Sequence, residues 1–283
     1  MENKITTKLN WLNKEVFILL TGLFIVAQTL GLIVAQNLIL LDIKSAPLTG
    51  DLNNPLEAVY LIIMILVMTG VILIILKYKK AKSLWLFEAL AIFSTSIIVF
   101  GSFFPQDDLL VFLITIVILA FRYTHKENKM YKNFVSILAI SGAGALLGIS
   151  LGVIPVLIFI ILLSIYDFIA VFKTKHMVTL AKGVTKKNLS FTYTLPTKEH
   201  TFELGTGDMV IPLTFAVSVL STQTIMGIEK FITPILILLA SLIGLILTLH
   251  YCSLKKGRVL PALPLQTALM IIVFGMTNLI GFW

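Results

Sequence analysis

Nine mostly apolar stretches, separated by short polar segments, account for most of the chain. They run Glu15–Leu38, Leu56–Leu76, Leu84–Ser102, Leu109–Tyr123, Phe134–Ile149, Leu151–Phe172, Leu204–Ser221, Phe231–Tyr251 and Pro261–Phe282. A hydrocarbon core of about 30 Å takes about 17 to 25 residues of helix to cross. Each stretch therefore predicts a membrane-spanning helix, with the fourth and fifth short for the task. The expected fold is an all-α polytopic membrane protein of nine transmembrane helices, forming one membrane domain over residues 1–283. Spans one to five (residues 15–149) are expected as a scaffold. Spans six to nine (residues 151–282), with a cytosolic loop at 173–203, form the expected catalytic part.

Composition sharpens this picture. Apolar residues make up 58% of the chain and charged residues 13%, with a mean hydropathy of +1.01. A soluble domain is about one-quarter charged, so a soluble protein is excluded. The net charge of +8 comes from loops beside the spans, and no recognition motif supports a nucleic-acid partner. Cys252 is the single cysteine, which rules out an intramolecular disulfide and a cysteine-ligated zinc site. The first stretch is too long for a signal peptide and lacks a small-residue cleavage site, so it is expected as a retained span.

The polar segments set orientation. Of 22 basic residues, all but Lys44 and Lys230 fall in the N-terminus and in every second loop. Because Lys and Arg are retained on the cytosolic side, the N-terminus is expected in the cytosol and the C-terminus outside the cell membrane. Span six then runs inward and span seven outward. Asp167, in Tyr166-Asp167, and Asp208, in Gly205-Thr206-Gly207-Asp208, come to matched depths of roughly 7 to 9 Å from the cytosolic face, at about 1.5 Å per residue.

An ionised carboxylate in hydrocarbon costs roughly 2.5 to 3.5 kcal/mol, so an intramembrane Asp marks a functional site. Two that meet tend to share one proton, one acting as general base and the other as general acid. That arrangement hydrolyses amides. Gly205 and Gly207 remove side chains beside Asp208, opening room for a neighbouring helix or an extended substrate backbone. The Tyr166 hydroxyl is placed to orient a carboxyl or a substrate group. Pro261-Ala262-Leu263-Pro264 opens the last span at the same end of the membrane, where proline suits a first helical turn.

Tyr-Asp in one span, Gly-x-Gly-Asp in the next and Pro-Ala-Leu at the start of the last resemble the presenilin and signal peptide peptidase family of intramembrane aspartyl proteases. The inside N-terminus is similar to the presenilin branch, and the compact loops to its archaeal members. The resemblance implies that Asp167 and Asp208 are the catalytic pair and that Pro261, Ala262 and Leu263 shape the site and hold substrate. It implies single-span membrane proteins or signal peptides as substrates in a lipid bilayer, with no cofactor, no metal and no obligatory partner subunit. Thr206 departs from the commoner Gly-Leu-Gly-Asp form and is expected to bear on substrate preference. An alternative reading, a proton-coupled transporter or ion leak pathway, also places acids at matched depth near broken helices. It predicts inverted repeats, which nine spans with both acids on neighbouring helices do not supply.

Between the acids, Leu189–Leu195 alternates apolar and hydroxyl side chains up to Pro196, a strand signature. It is expected as an isolated strand that adds to an unwound substrate. Lys175–Lys182 is expected as an amphipathic helix at the interface. Gly144, Gly148 and Gly152 predict close helix contact. Glu88 is expected to snorkel or pair with a loop lysine, and Gln28 and Gln266 to bond between helices. No His-Glu-x-x-His or Gly-x-Ser-x-Gly pattern supports a zinc or serine protease.

Overall fold

The computed structural model describes residues 2–43, 49–78, 81–174, 190, 192–196, 201–223, 227–254 and 261–281. Nine α-helices lie among them: α1 (Glu2–Leu40), α2 (Leu56–Lys77), α3 (Ala81–Phe103), α4 (Asp108–Thr124), α5 (Lys129–Ile149), α6 (Val153–Ile169), α7 (Gly207–Thr222), α8 (Ile232–Leu254) and α9 (Leu263–Ile280). Each corresponds to one predicted apolar stretch. Seven helical stretches among the described residues are long and apolar enough to cross a membrane, while α4 has 17 residues and α7 has 16. Apolar side chains cover the outside: Ile63, Val67, Leu109, Ile154 and Leu239 are all exposed. In lipid such a surface is solvated, and only helices satisfy their own backbone there.

The boundaries differ from the predicted ones for identifiable reasons. The fifth helix is 21 residues long, not short, because the Asn128 side chain caps it by accepting from the Met130 and Tyr131 amides at 2.9 and 3.4 Å. Such a cap satisfies first-turn donors that would otherwise be orphaned. The fourth is short, as expected, and so is the seventh. Leu204 and Gly205, expected at its start, end a strand instead, β2 (Thr201–Gly205), antiparallel to β1 (Thr192–Pro196) with Thr192 opposite Gly205. The strand predicted over 189–195 is thus paired rather than isolated, and Pro196 lies in it rather than after it. The 175–182 segment lies outside the described residues.

At about 1.5 Å per residue α7 spans only about 24 Å. It sits inside the bundle, packed on α5, α8, α1 and α6, with every residue from Ile211 to Leu220 buried. A helix shielded from lipid need not match the bilayer thickness. Gly144 and Gly148 of α5 make the approach possible, as expected: a methyl on Gly148 would stand 2.5 Å from Val217 Cβ and 2.8 Å from the Thr214 carbonyl oxygen. Gly152 does a different job, beginning α6 as its N-cap and donating its N–H to the Leu52 carbonyl at 2.7 Å. One buried apolar cluster runs from Leu20 to Phe274 and takes in both the expected scaffold and the expected catalytic part.

Candidate active site

Leu163, Asp167 and Ala170 are buried while Ile165, Phe168 and Ile169 face outward. Spacings of four and three put the first set on one face of α6, which turns Asp167 into the bundle at 7% exposure. Three residues after it the helix widens to a π turn over Ala170–Thr174, a local distortion that recurs at functional sites. Asp208 is the second residue of α7, not several residues inside a span, and is partly exposed. The two carboxyls lie within electrostatic reach of each other. The end of α6 and the start of α7 are thereby brought together.

The Pro-Ala-Leu segment joins them through its backbone. Pro261 precedes α9, Ala262 caps it and Leu263 begins it, with Pro264 in the first turn. The backbone N–H of Leu263 donates a hydrogen bond to the Asp167 carboxyl. Proline is accepted there because a first-turn N–H has no intrahelical acceptor. Pro261, Pro264 and Leu265, with Phe168, Phe172 and Leu247, line an apolar groove of about 510 Å³ between the end of α6, α8 and the start of α9. Tyr166 is half-buried, and its side chain is hydrogen-bonded to Thr69 of α2. It braces α6 against α2.

The glycines beside Asp208 are not pressed by another helix. A methyl on Gly205 would stand 3.9 Å from Asp208 Oδ2, and one on Gly207 would have no neighbour within 4 Å. The space is open on the side of the acid, which suits an incoming backbone rather than a packed one. Gly207→Ala is therefore expected to leave the thermal midpoint within about 2 °C of wild type while raising KM several-fold. A fall in the midpoint with unchanged KM would mean that this glycine serves folding instead. Thr206 occupies the N-cap of α7 without a side-chain capping bond, and its carbonyl accepts from the Met209 and Val210 amides at 3.0 Å.

Two residues expected only to bond between helices are part of this site. Pro212 lies inside α7 and has no N–H to give the carbonyl four residues back, which belongs to Asp208. Gln266 of α9 supplies the missing donor, its Nε2 reaching the Asp208 carbonyl at 3.3 Å. Gln28 of α1 donates likewise to the Met209 carbonyl at 3.0 Å. The signal was present in the sequence as a proline four residues after an intramembrane aspartate. Which side chain would answer it was not.

β1 and β2 lead into α7 from the same end. Tyr193 of β1 is fully buried with Leu204 of β2 in the core cluster. Burial pushes its phenol up, so it stays protonated.

The sequence profile described as "Signal-peptide peptidase, presenilin aspartyl protease" matches residues 21–282. No curated protein matches the chain. Two solved structures share its fold, both of a presenilin family intramembrane aspartate protease. The one in a C222 crystal form aligns with a TM-score of 0.71 at 21% identity, covering 94% of this chain and 99% of that one. The other, in a P2 form, aligns at 0.66 and 22% identity, covering 92% and 96%. The profile match takes in Asp167, Asp208 and the Pro-Ala-Leu turn, and the chain belongs to the signal-peptide peptidase and presenilin aspartyl protease family, as an intramembrane aspartic endopeptidase.

Proposed function

We propose that Asp167 and Asp208 are the catalytic pair and that they hydrolyse a peptide bond of a substrate transmembrane helix near the cytosolic face of the cell membrane. The observation that carries this is the convergence of three remote segments. Asp167, Asp208 and the Leu263 N–H meet at one end of the bundle, in a chain whose family acts by paired aspartates. One carboxylate takes a proton from water, whose oxygen attacks the scissile carbonyl carbon. The other, protonated, hydrogen-bonds the carbonyl oxygen as charge develops on it. The tetrahedral intermediate collapses when a proton is delivered to the amide nitrogen, the C–N bond breaks, and an acid and an amine leave. Which carboxyl begins as base belongs to the coupled pair rather than to either residue.

Single-span membrane proteins or signal peptides are the proposed substrates, approaching through lipid beside the apolar groove. The chain is read as acting without partner subunits, with nine crossings, a cytosolic N-terminus and an extracytosolic C-terminus. It is read as one membrane domain. Tyr166, Gly205, Thr206, Gly207, Pro261, Ala262 and Leu263 are assigned to site support or substrate contact, with the glycines giving the substrate backbone room. A helical amide is hydrogen-bonded and shielded, so the substrate must unwind. We assign that step to an edge of the β1–β2 hairpin, which would pair with the unwound segment. Thr192→Pro removes one N–H from β1 and is expected to lower turnover about tenfold with α-helix content unchanged. Wild-type turnover in that variant would remove the strand from the mechanism.

The reading is tested by incubating the purified, detergent-solubilised chain with a single-span peptide and reading the products by mass spectrometry. Discrete products cut within the apolar segment are expected. Absence of product, together with proton or ion flux in vesicles reconstituted with the chain, would favour the transporter alternative, which the family assignment does not.

A further inference from the structure

Glu88 of α3 and Arg122 of α4 form a buried ion pair at 3.0 Å. Arg122 was expected in a cytosolic loop and Glu88 beside a loop lysine; instead Arg122 stands in the last turn of α4, 5% exposed, and Glu88 is 3% exposed. Removing two charges from water is costly, and the cost is offset only where geometry and extra hydrogen bonds are complete. A plain staple between two neighbouring helices would need nothing more than this pair. The third member is what sets the cluster apart.

Ser190 belongs to neither helix and lies two residues ahead of β1. Its N–H donates to Glu88 Oε1 at 2.9 Å, and its hydroxyl oxygen accepts from Arg122 Nε at 2.8 Å. Its carbonyl accepts from the Ser136 hydroxyl of α5 at 3.0 Å. Arg122 is itself held, its Nη1 donating to the Lys126 carbonyl at 2.8 Å. Donor, hydroxyl and carbonyl of one residue are thus gripped by α3, α4 and α5. From Ser190 the chain reaches Thr192, which faces Gly205, three residues before Asp208. Charge-assisted hydrogen bonds of this kind are short and strongly oriented. They tie the start of β1, in depth and along its length, to the part of the bundle that carries neither aspartate.

We propose that Glu88, Arg122 and Ser190 form a latch that sets the register of the β1–β2 hairpin against Asp208, and so decides which peptide bond of a bound substrate meets the two acids. Glu88 and Arg122 are positioning residues, acting through Ser190 and β1 without touching substrate. The inference rests on the assignment of the hairpin to substrate pairing. It predicts that loosening the latch changes where the enzyme cuts, which mere loss of folded protein does not.

The test uses the full chain with two variants. Glu88→Gln discharges the latch from within the bundle; Ser190→Pro removes from outside it both the donor to Glu88 and the hydroxyl that accepts from Arg122, and keeps both partners of the ion pair. Both are expected to change the ratio of neighbouring products at least threefold and to lower kcat about tenfold, since small displacements of reacting groups carry costs of that size. The double variant is expected to be no worse than the poorer single one, because both break one unit. Hydrogen exchange at 192–196 and 201–205 is expected to quicken about tenfold in each variant, as local opening of the hairpin requires. Wild-type product ratios in both variants, whatever their rates, would overturn the assignment of register, and unchanged exchange would overturn the latch itself. A wild type that makes no product would count against the proteolytic reading, and exchange would still decide the latch.

Discussion

Asp167→Asn and Asp208→Asn are each expected to lower peptide cleavage at least about a thousandfold, the scale on which positioned acid–base groups act. Asparagine keeps the shape and can still hydrogen-bond, so the Leu263 N–H would keep an acceptor at position 167. The amide neither takes a proton from water nor gives one to the leaving nitrogen. Both variants should fold at least as well as wild type, because each removes an ionisable group from the bundle. The double variant should lose little more than either single one, since a dyad works as a unit and its members are not additive. Thermal unfolding alongside product mass spectrometry makes the comparison. Equal product from wild type and variants would place the chemistry elsewhere.

Gln266→Ala is expected to cost about 1–3 kcal/mol of stability, the usual penalty for a buried backbone acceptor left without a donor, and about ten- to a hundredfold in turnover through displacement of Asp208. The cause is specific. Pro212 withholds the N–H that the Asp208 carbonyl would otherwise receive within α7, and Gln266 Nε2 replaces it at 3.3 Å. Pro212→Ala restores an intrahelical donor, so Gln266→Ala combined with Pro212→Ala should recover stability relative to Gln266→Ala alone. Denaturant or thermal unfolding of the four proteins in the cycle reads the coupling. Additive losses would show that the glutamine acts through packing against Gly244, where a methyl would stand 3.0 Å from its Cα, and not through the carbonyl.

That cycle also marks where legibility in the sequence stopped. Apolar runs of spanning length are a one-dimensional property, because each membrane helix satisfies its own backbone. Nine runs could therefore be read as nine helices without knowledge of their neighbours. The aspartates stood out for the same reason: a carboxyl in an apolar run is costly wherever the helix sits. Asn128 could have been read as a cap, and Pro212 as a proline that leaves a carbonyl unserved. Both are local signals.

Tertiary contact decided the rest. Leu204 and Gly205 lie in the apolar stretch expected to begin the seventh helix, yet they end a strand that pairs with Thr192–Pro196, since strand formation depends on a partner that hydropathy does not see. The 16 residues of α7 suffice because other helices surround it. Arg122 had the look of a loop cation until Glu88 and Ser190, 34 and 68 residues away, met it in a buried site. The amino-acid sequence by itself determined the membrane class, the helices and the two acids, since each follows from the cost of placing a residue type in hydrocarbon. Only the tertiary structure decided which donors serve the backbone around those acids and what holds the hairpin against them, because a buried polar group is satisfied by whichever side chain the fold brings within about 3 Å.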